Sequence, residues 1–168
     1  MKRKSQPLNK IIVADTGPLI AFARLEKLDL LAQVFSQVMV TRTVLEECVG
    51  RPDLPEVPFI RDAFDRKILQ VIESADFSGL MGDIDDGEAS AISTAISLRC
   101  GVLLDDKKGR RFARHLNVPI IGTVGVLVLA KHKRLIPCVK PLLDALVRSG
   151  YFLGEDLIAA ALATCKER

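Results

Sequence analysis

Carboxylates stand where the apolar pattern of this chain breaks. Asp15 follows Ile11-Ile12-Val13-Ala14; Glu46 and Glu47 interrupt Val44-Leu45 and Cys48-Val49; Asp85, Asp86 and Glu88 precede a stripe of alanine and isoleucine; and Asp105 and Asp106 follow Val102-Leu103-Leu104. Carboxylates gathered in one pocket repel one another and are costly without a cation. A hard divalent ion such as Mg²⁺ or Mn²⁺ relieves that cost. Mg²⁺ takes one or two carboxylates, keeps several waters and completes its shell with substrate phosphates. Bound there, it polarises a phosphoryl oxygen and generates a nucleophile from water at neutral pH. No protein nucleophile is then needed. The two histidines, His115 and His132, lie in basic helix ends away from any G-x-S-x-G or reactive cysteine, and read as surface residues.

The element that must position most of these acids runs from Asp85 to Arg111. Asp85 and Glu88 have the spacing of a capping box. Ala91, Ile92, Ala95 and Ile96 follow Glu88 at +3, +4, +7 and +8, so a carboxylate heads the core-facing stripe of a helix. Gly101 is expected to end that helix in a left-handed turn, and Val102–Leu104 to form a buried strand that delivers Asp105 and Asp106 at its carboxyl end. Upstream, Ile11–Ala14 reads as a central strand ending at Asp15, with Thr16 as a cap and Pro18 in the first turn of a helix. Val38–Val40 is a second strand, after which Thr41 caps a helix stopped by Gly50. A helix opens near Pro55, Ile68–Ile72 is an edge strand, and 73–83 is a loop. Downstream come a basic helix over 108–116, a short strand at Ile120-Ile121, a helix capped by Thr123, a helix opened by Pro137 and ended by Gly150, and a final helix over 155–165.

Strands that alternate with helices predict an α/β fold, a central parallel sheet with helices on both faces. In open sheets of this kind ligands bind at the carboxyl ends of the strands. Each acid also has a simpler reading. Asp15, Asp105 and Asp106 suit the caps of the helices that follow them, and Glu88 suits the capping box alone. Periodicity does not choose between Glu46 and Glu47. Their joint placement on one rim is what favours chemistry.

The 168 residues suffice for one domain with a core, and a composition of 49% hydrophobic and 27% charged residues is that of an ordinary globular chain. A net charge of +3 permits an anionic partner without demanding one. The four cysteines, Cys48, Cys100, Cys138 and Cys165, lie far apart with no C-x-x-C pair, which excludes a zinc ribbon or a dithiol redox motif and fits a reduced, cytoplasmic setting. Residues 1–10 are expected to form a flexible basic tail without a secretory core, and 11–168 a single domain; no apolar run is long enough to span a membrane.

Four segments resemble, in order, the acidic motifs of PIN-domain nucleases: Ala14-Asp15-Thr16-Gly17-Pro18-Leu19-Ile20, Val44-Leu45-Glu46-Glu47-Cys48-Val49, Asp86-Gly87-Glu88-Ala89-Ser90-Ala91-Ile92 and Leu103-Leu104-Asp105-Asp106-Lys107-Lys108-Gly109-Arg110. Ile121-Gly122-Thr123-Val124-Gly125-Val126-Leu127 is similar to a segment of the subgroup close to VapC-like toxins of toxin–antitoxin pairs. The resemblance implies a PIN-like fold and Mg²⁺- or Mn²⁺-dependent cleavage of RNA. It implies Asp15, Glu47, Glu88 and Asp105 as catalytic acids, a metal held among Asp15, Glu88, Asp105 and Asp106, a homodimer, and a small antitoxin as partner. The chain departs from many PIN proteins in carrying Glu88 where they have Asp, and Leu104 where they have Ser or Thr.

Lys107, Lys108, Arg110 and Arg111 follow the last acids and are placed to neutralise RNA phosphates, or to form a solvated helix face. With one Tyr and no Trp, the composition offers little for stacking bases. Two other functions compete with this one. Asp15-Thr16-Gly17 matches an aspartic-protease signature, but that chemistry needs two such aspartates on an all-β scaffold. A PIN-like module that binds RNA or protein without cutting is the remaining alternative.

Overall fold

The computed structural model describes residues 11–80 and 82–168; the expected N-terminal tail lies outside them. Five strands, β1 (Ile11–Ala14), β2 (Gln37–Thr41), β3 (Gln70–Ile72), β4 (Gly101–Leu103) and β5 (Ile120–Ile121), form one sheet in the order β3-β2-β1-β4-β5. Every pairing is parallel. The two most apolar runs of the sequence, β1 and β4, are the central neighbours, with Val13 opposite Val102 and Ala14 opposite Leu103.

The helices are α1 (Thr16–Arg24), α2 (Leu28–Val34), α3 (Arg42–Val49), α4 (Val57–Asp65), α5 (Asp86–Leu98), α6 (Lys107–His115), α7 (Thr123–His132), α8 (Lys140–Arg148) and α9 (Glu155–Thr164). Alternate residues of β1 feed two separate cores, because successive strand side chains point to opposite faces. Ile12 and Ala14 join Leu19, Phe22, Leu31, Leu127 and Leu143 on one face, while Val13 joins Ala91, Ile92, Ala95, Val102 and Ala113 on the other. The sheet is thus covered on both sides, as the strand–helix alternation predicts.

Several boundaries differ from the sequence expectation. Helix α5 ends at Arg99, which itself adopts the left-handed conformation (φ 53°), and Gly101 lies in β4. Packing is close there: a Cβ would stand 3.2 Å from the Pro119 carbonyl and 3.3 Å from Ile12 Cδ1, so its neighbours would have to give by a few tenths of an ångström. Thr16 and Thr123 are not caps but the first residues of α1 and α7, so their hydroxyls are free for other work. Helix α8 starts at Lys140, with Pro141 rather than Pro137 in its first turn. Its start is held by Glu167, whose carboxylate accepts from the Val139 and Lys140 amides (2.9 Å each) and pairs with Lys131 of α7 at 2.5 Å. Those donors hold the Glu167 carboxyl down at about 2.

Candidate active site

The strand order reverses between β1 and β4, and the acids converge outside the carboxyl ends of these two strands. This is the crevice in which open parallel sheets bind ligands. The Asp15 amide donates to the Leu103 carbonyl at 2.9 Å, which ties the first acid to the neighbouring strand.

Asp15 occupies the N-cap position of α1 but its side chain makes no capping hydrogen bond. The capping explanation for this residue therefore fails. Its side chain is only 7% exposed. Burial pushes its carboxyl up to about 8; the Thr16 amide opposes this, and the charges of Glu88, Asp85 and Glu47 add to it. A carboxylate rarely sits in such a place without a counter-charge.

Glu88 does close the capping box: its amide donates to Asp85 Oδ1 at 2.8 Å, and Glu88 Oε2 accepts from the Asp85 amide at 3.2 Å. It also has a second involvement. Burial and the Asp85 charge raise its carboxyl to about 7, and Asp106 contributes through its charge and a shared hydrogen bond. The capping-box reading and the site reading thus describe two contacts of one side chain. The first turn of α6 closes against it, for a Cβ on Gly109 would lie 3.3 Å from Glu88 Cδ.

Glu47, rather than Glu46, faces the other acids. It is exposed along its length, but its carboxylate end is enclosed: Oε2 accepts from the Thr16 hydroxyl at 2.7 Å, and the Gly87 amide also bonds it. Enclosure and the charges of Asp85 and Asp86 raise its carboxyl against those donors. Gly87 is an element the motif reading left unexplained. A Cβ there would stand 2.6 Å from Glu47 Oε1 and 2.7 Å from its Cδ, so a side chain at 87 would displace the Glu47 carboxylate from its present position. A buried hydroxyl pair fixes the two helices. The Ser90 hydroxyl donates to the Gly87 carbonyl, so at the 2.8 Å contact it accepts from Thr41, whose oxygen in turn caps α3 by accepting from Val44.

The adjacent aspartates after β4 diverge. Asp106 caps α6 through the Gly109 amide (2.9 Å) and meets Glu88. Asp105 turns towards α7: Oδ1 accepts from the Thr123 amide (2.7 Å), while Oδ2 accepts from the Thr123 hydroxyl (2.5 Å) and from the Tyr151 hydroxyl. Tyr151, brought in from the connection between α8 and α9, is a site neighbour that sequence reading missed. Its hydroxyl also lies near Gly17, where a Cβ would stand 3.4 Å away. Of the cations, Lys107, Lys108 and Arg111 are exposed, whereas Arg110 folds back to donate to the Leu104 carbonyl at 3.0 Å. Cys48 is buried beside the site with its thiol pushed up to about 12, which suits a packing residue and not a nucleophile.

Among the described residues no three His, Cys, Asp or Glu side chains are spaced as a ready-made metal cage. The donor set is still all-carboxylate and hard, and three of its members are raised, first by burial and then by one another's charge. That fits an ion which takes one or two carboxylates and fills its shell with water and phosphate, better than a closed structural site.

A parallel 3-2-1-4-5 sheet with acids gathered at its switch point defines an open α/β scaffold carrying an anionic crevice. Residues 11–167 match the family model described as DUF3368, PIN domain, and the chain belongs to this PIN-domain family, whose fold is of nuclease type. A solved structure, a PilT N-terminus domain protein from the hyperthermophilic archaeon Sulfolobus solfataricus P2, is 18% identical to it. That alignment has a TM-score of 0.52 and covers 72% of this chain and 92% of the archaeal one. No curated protein matches the chain. Among the described residues no helix is long and apolar enough to cross a membrane.

Proposed function

We propose that this protein is a metal-dependent endoribonuclease and the toxin component of a type II toxin–antitoxin pair. The observation that carries the catalytic reading is Asp15, a buried acid with no capping role whose charge is opposed by three other carboxylates. Asp15, Glu88, Asp105 and Asp106 are the residues that would hold Mg²⁺ or Mn²⁺, with Glu47 beside them. Asp105 is in addition fixed by the start of α7 and by Tyr151. When bound, the ion supplies Lewis-acid activation of the scissile phosphate and of water.

The chain's own residues prepare that chemistry. The Thr16 hydroxyl and Gly87 amide orient Glu47. Glu88 and Asp106 face each other closely enough that each raises the cost of the other's charge, and a bound cation would relieve that cost. Lys107, Lys108 and Arg111 stand exposed on the first turns of α6, directly after Asp106, where they neutralise backbone phosphates. The toxin role, with a homodimer and a small antitoxin as partner, is supported by the likeness of Ile121–Leu127 to the VapC-like subgroup and by exposed Val147 and Leu157 on the last two helices.

The test is cleavage of single-stranded RNA by the purified protein with Mg²⁺, with Mn²⁺ and with EDTA, alongside Glu88→Gln. Cleavage is expected only with metal, and Glu88→Gln should lower it by orders of magnitude while the fold is kept, since glutamine still closes the capping box. Metal-dependent cleavage by Glu88→Gln at the wild-type rate would remove this residue from the mechanism. Absence of cleavage under every condition would leave a binding module.

A further inference from the structure

Tyr151 reaches the acids through contacts of its own, from the connection between α8 and α9. Its hydroxyl donates to Asp105 Oδ2 and lies beside Gly17 in the first turn of α1, where a Cβ would stand 3.4 Å from it. An ionised carboxylate offers about four lone-pair sites, two on each oxygen. At Asp105 three of them are taken: Oδ2 accepts from the Thr123 hydroxyl at 2.5 Å and from the Tyr151 hydroxyl, and Oδ1 accepts from the Thr123 amide at 2.7 Å. The site left is on Oδ1. Gly122 leaves that oxygen uncovered, for a Cβ there would stand 2.9 Å from it. Asp105 can therefore give a cation one oxygen while both hydroxyls stay in place.

We infer that Tyr151 is a positioning residue that restricts Asp105 to a single coordinating oxygen and so makes the site favour a small divalent cation over a large one. The inference rests on the metal-dependent reading and deepens it. Mg²⁺ demands near-ideal octahedral geometry at about 2.0–2.1 Å and keeps several waters, whereas Ca²⁺ takes about six to eight oxygens at about 2.3–2.6 Å and accepts a carboxylate through both of its oxygens. A carboxylate whose second oxygen is committed to two hydroxyls suits the first ion and undersupplies the second. Such partners also fix the direction of the ligand, and loss of one lowers metal affinity about 10–100-fold. Without the Tyr151 hydroxyl a site opens on Oδ2 and the carboxylate regains freedom to turn. The small ion then loses an oriented ligand. The large ion loses the same orientation but gains a second oxygen.

The test titrates Mg²⁺, Mn²⁺ and Ca²⁺ separately into the RNA-free protein and takes an apparent Kd for each ion from the rise in melting temperature. Tyr151→Phe keeps the ring and removes only the hydroxyl. It should weaken Mg²⁺ binding about 10–100-fold and raise the ratio of Ca²⁺ to Mg²⁺ affinity by about tenfold or more. Thr123→Val removes the other hydroxyl from Oδ2, leaves the amide, and should move the ratio in the same direction. Either variant decides alone should the other fail to fold, because both free the same oxygen. A purely structural role would lower both affinities together, so an unchanged ratio overturns the inference, as does a ratio that moves towards Mg²⁺. Cleavage of RNA by wild type with Mg²⁺ is read separately. If wild type responds to no divalent ion, the metal-dependent reading falls and this inference with it. If it responds and the ratio ignores both hydroxyls, this inference fails alone; if the ratio moves while RNA stays uncut, the cleavage reading fails alone.

Discussion

Asp15→Asn should make the metal-free protein more stable while removing its response to metal. Asp15 titrates near 8 in the folded chain and at 3.8 when unperturbed, because burial disfavours its charged form. Between these values the native state binds a proton that the unfolded chain has released. The stability contributed is therefore fully present below pH ~4 and declines as pH rises towards 8. Each tenfold change in proton affinity is worth about 1.4 kcal/mol, so the loss accumulated between pH ~4 and pH 7 has a ceiling of roughly 4 kcal/mol, reduced in practice by water entering the crevice. Asparagine keeps the size and an acceptor for the Thr16 amide but has nothing to ionise. Melting would be followed in EDTA at pH 5 and pH 8 and constant ionic strength. Wild type should lose melting temperature over that interval relative to Asp15→Asn. At pH 8 the variant should melt higher by several degrees, given about 2–4 °C per kcal/mol for a domain of this size. Saturating Mg²⁺ should raise the wild type and leave the variant unmoved. If Asp15→Asn melts below wild type at pH 8 in EDTA, Asp15 is a structural acid already satisfied, and the electrostatic case for a cation site fails.

Three further perturbations separate site from scaffold. Gly87→Ala should expel the Glu47 carboxylate, lowering RNA cleavage strongly while melting temperature changes little, since alanine favours the helix by up to ~1 kcal/mol and Glu47 can swing into solvent; unchanged cleavage would excuse Glu47. Thr41→Val removes the cap of α3 and the donor to Ser90, and should cost about 1–3 kcal/mol in denaturant unfolding; a neutral result would show that the hydroxyl chain does not hold α3 to α5. Glu167 is held near 2 by Lys131 and two amides, so its contribution is present above pH ~4.5 and lost as pH falls towards 2. Glu167→Gln should destabilise the protein at pH 6 and flatten its acid unfolding, and a pH profile identical to wild type would refute this.

The two central strands, β1 and β4, were legible because they are short apolar runs that lead into an acid, and because burial on both faces leaves no polar alternation to confuse with helix. Helix starts at Thr41, Asp85 and Asp106 were legible through local hydrogen-bond chemistry, which depends on residues three apart. The different settings of positions 105 and 106 were not. Asp105 and Asp106 are chemically alike and adjacent, and only the turn after β4 sends one to Thr123 and Tyr151 and the other to Glu88. Tyr151 was invisible for a related reason: it lies 46 residues from its partner, and no periodicity carries information over that distance. Periodicity left Glu46 and Glu47 equal and only the family resemblance pointed to Glu47; its contact with Gly87 depends on the absence of a side chain, which no periodicity reports.

The central pairing of β1 with β4 also bears on how the protein is made. The ribosome delivers β1, β2 and β3 first, with Asp15 and Glu47, and these strands can already pair in register. The second edge of β1 stays bare until β4 emerges some ninety residues after it. Glu88 and Asp106 arrive only with that later segment. A growing chain thus carries half an acid set and an unpaired strand edge, and becomes competent in one late docking step that depends on a contact of long sequence separation. Under the proposed function, such an order of assembly keeps an RNA-cutting site incomplete while its own messenger is still being read, and protease sensitivity of stalled nascent chains before and after β4 emerges would reveal that step.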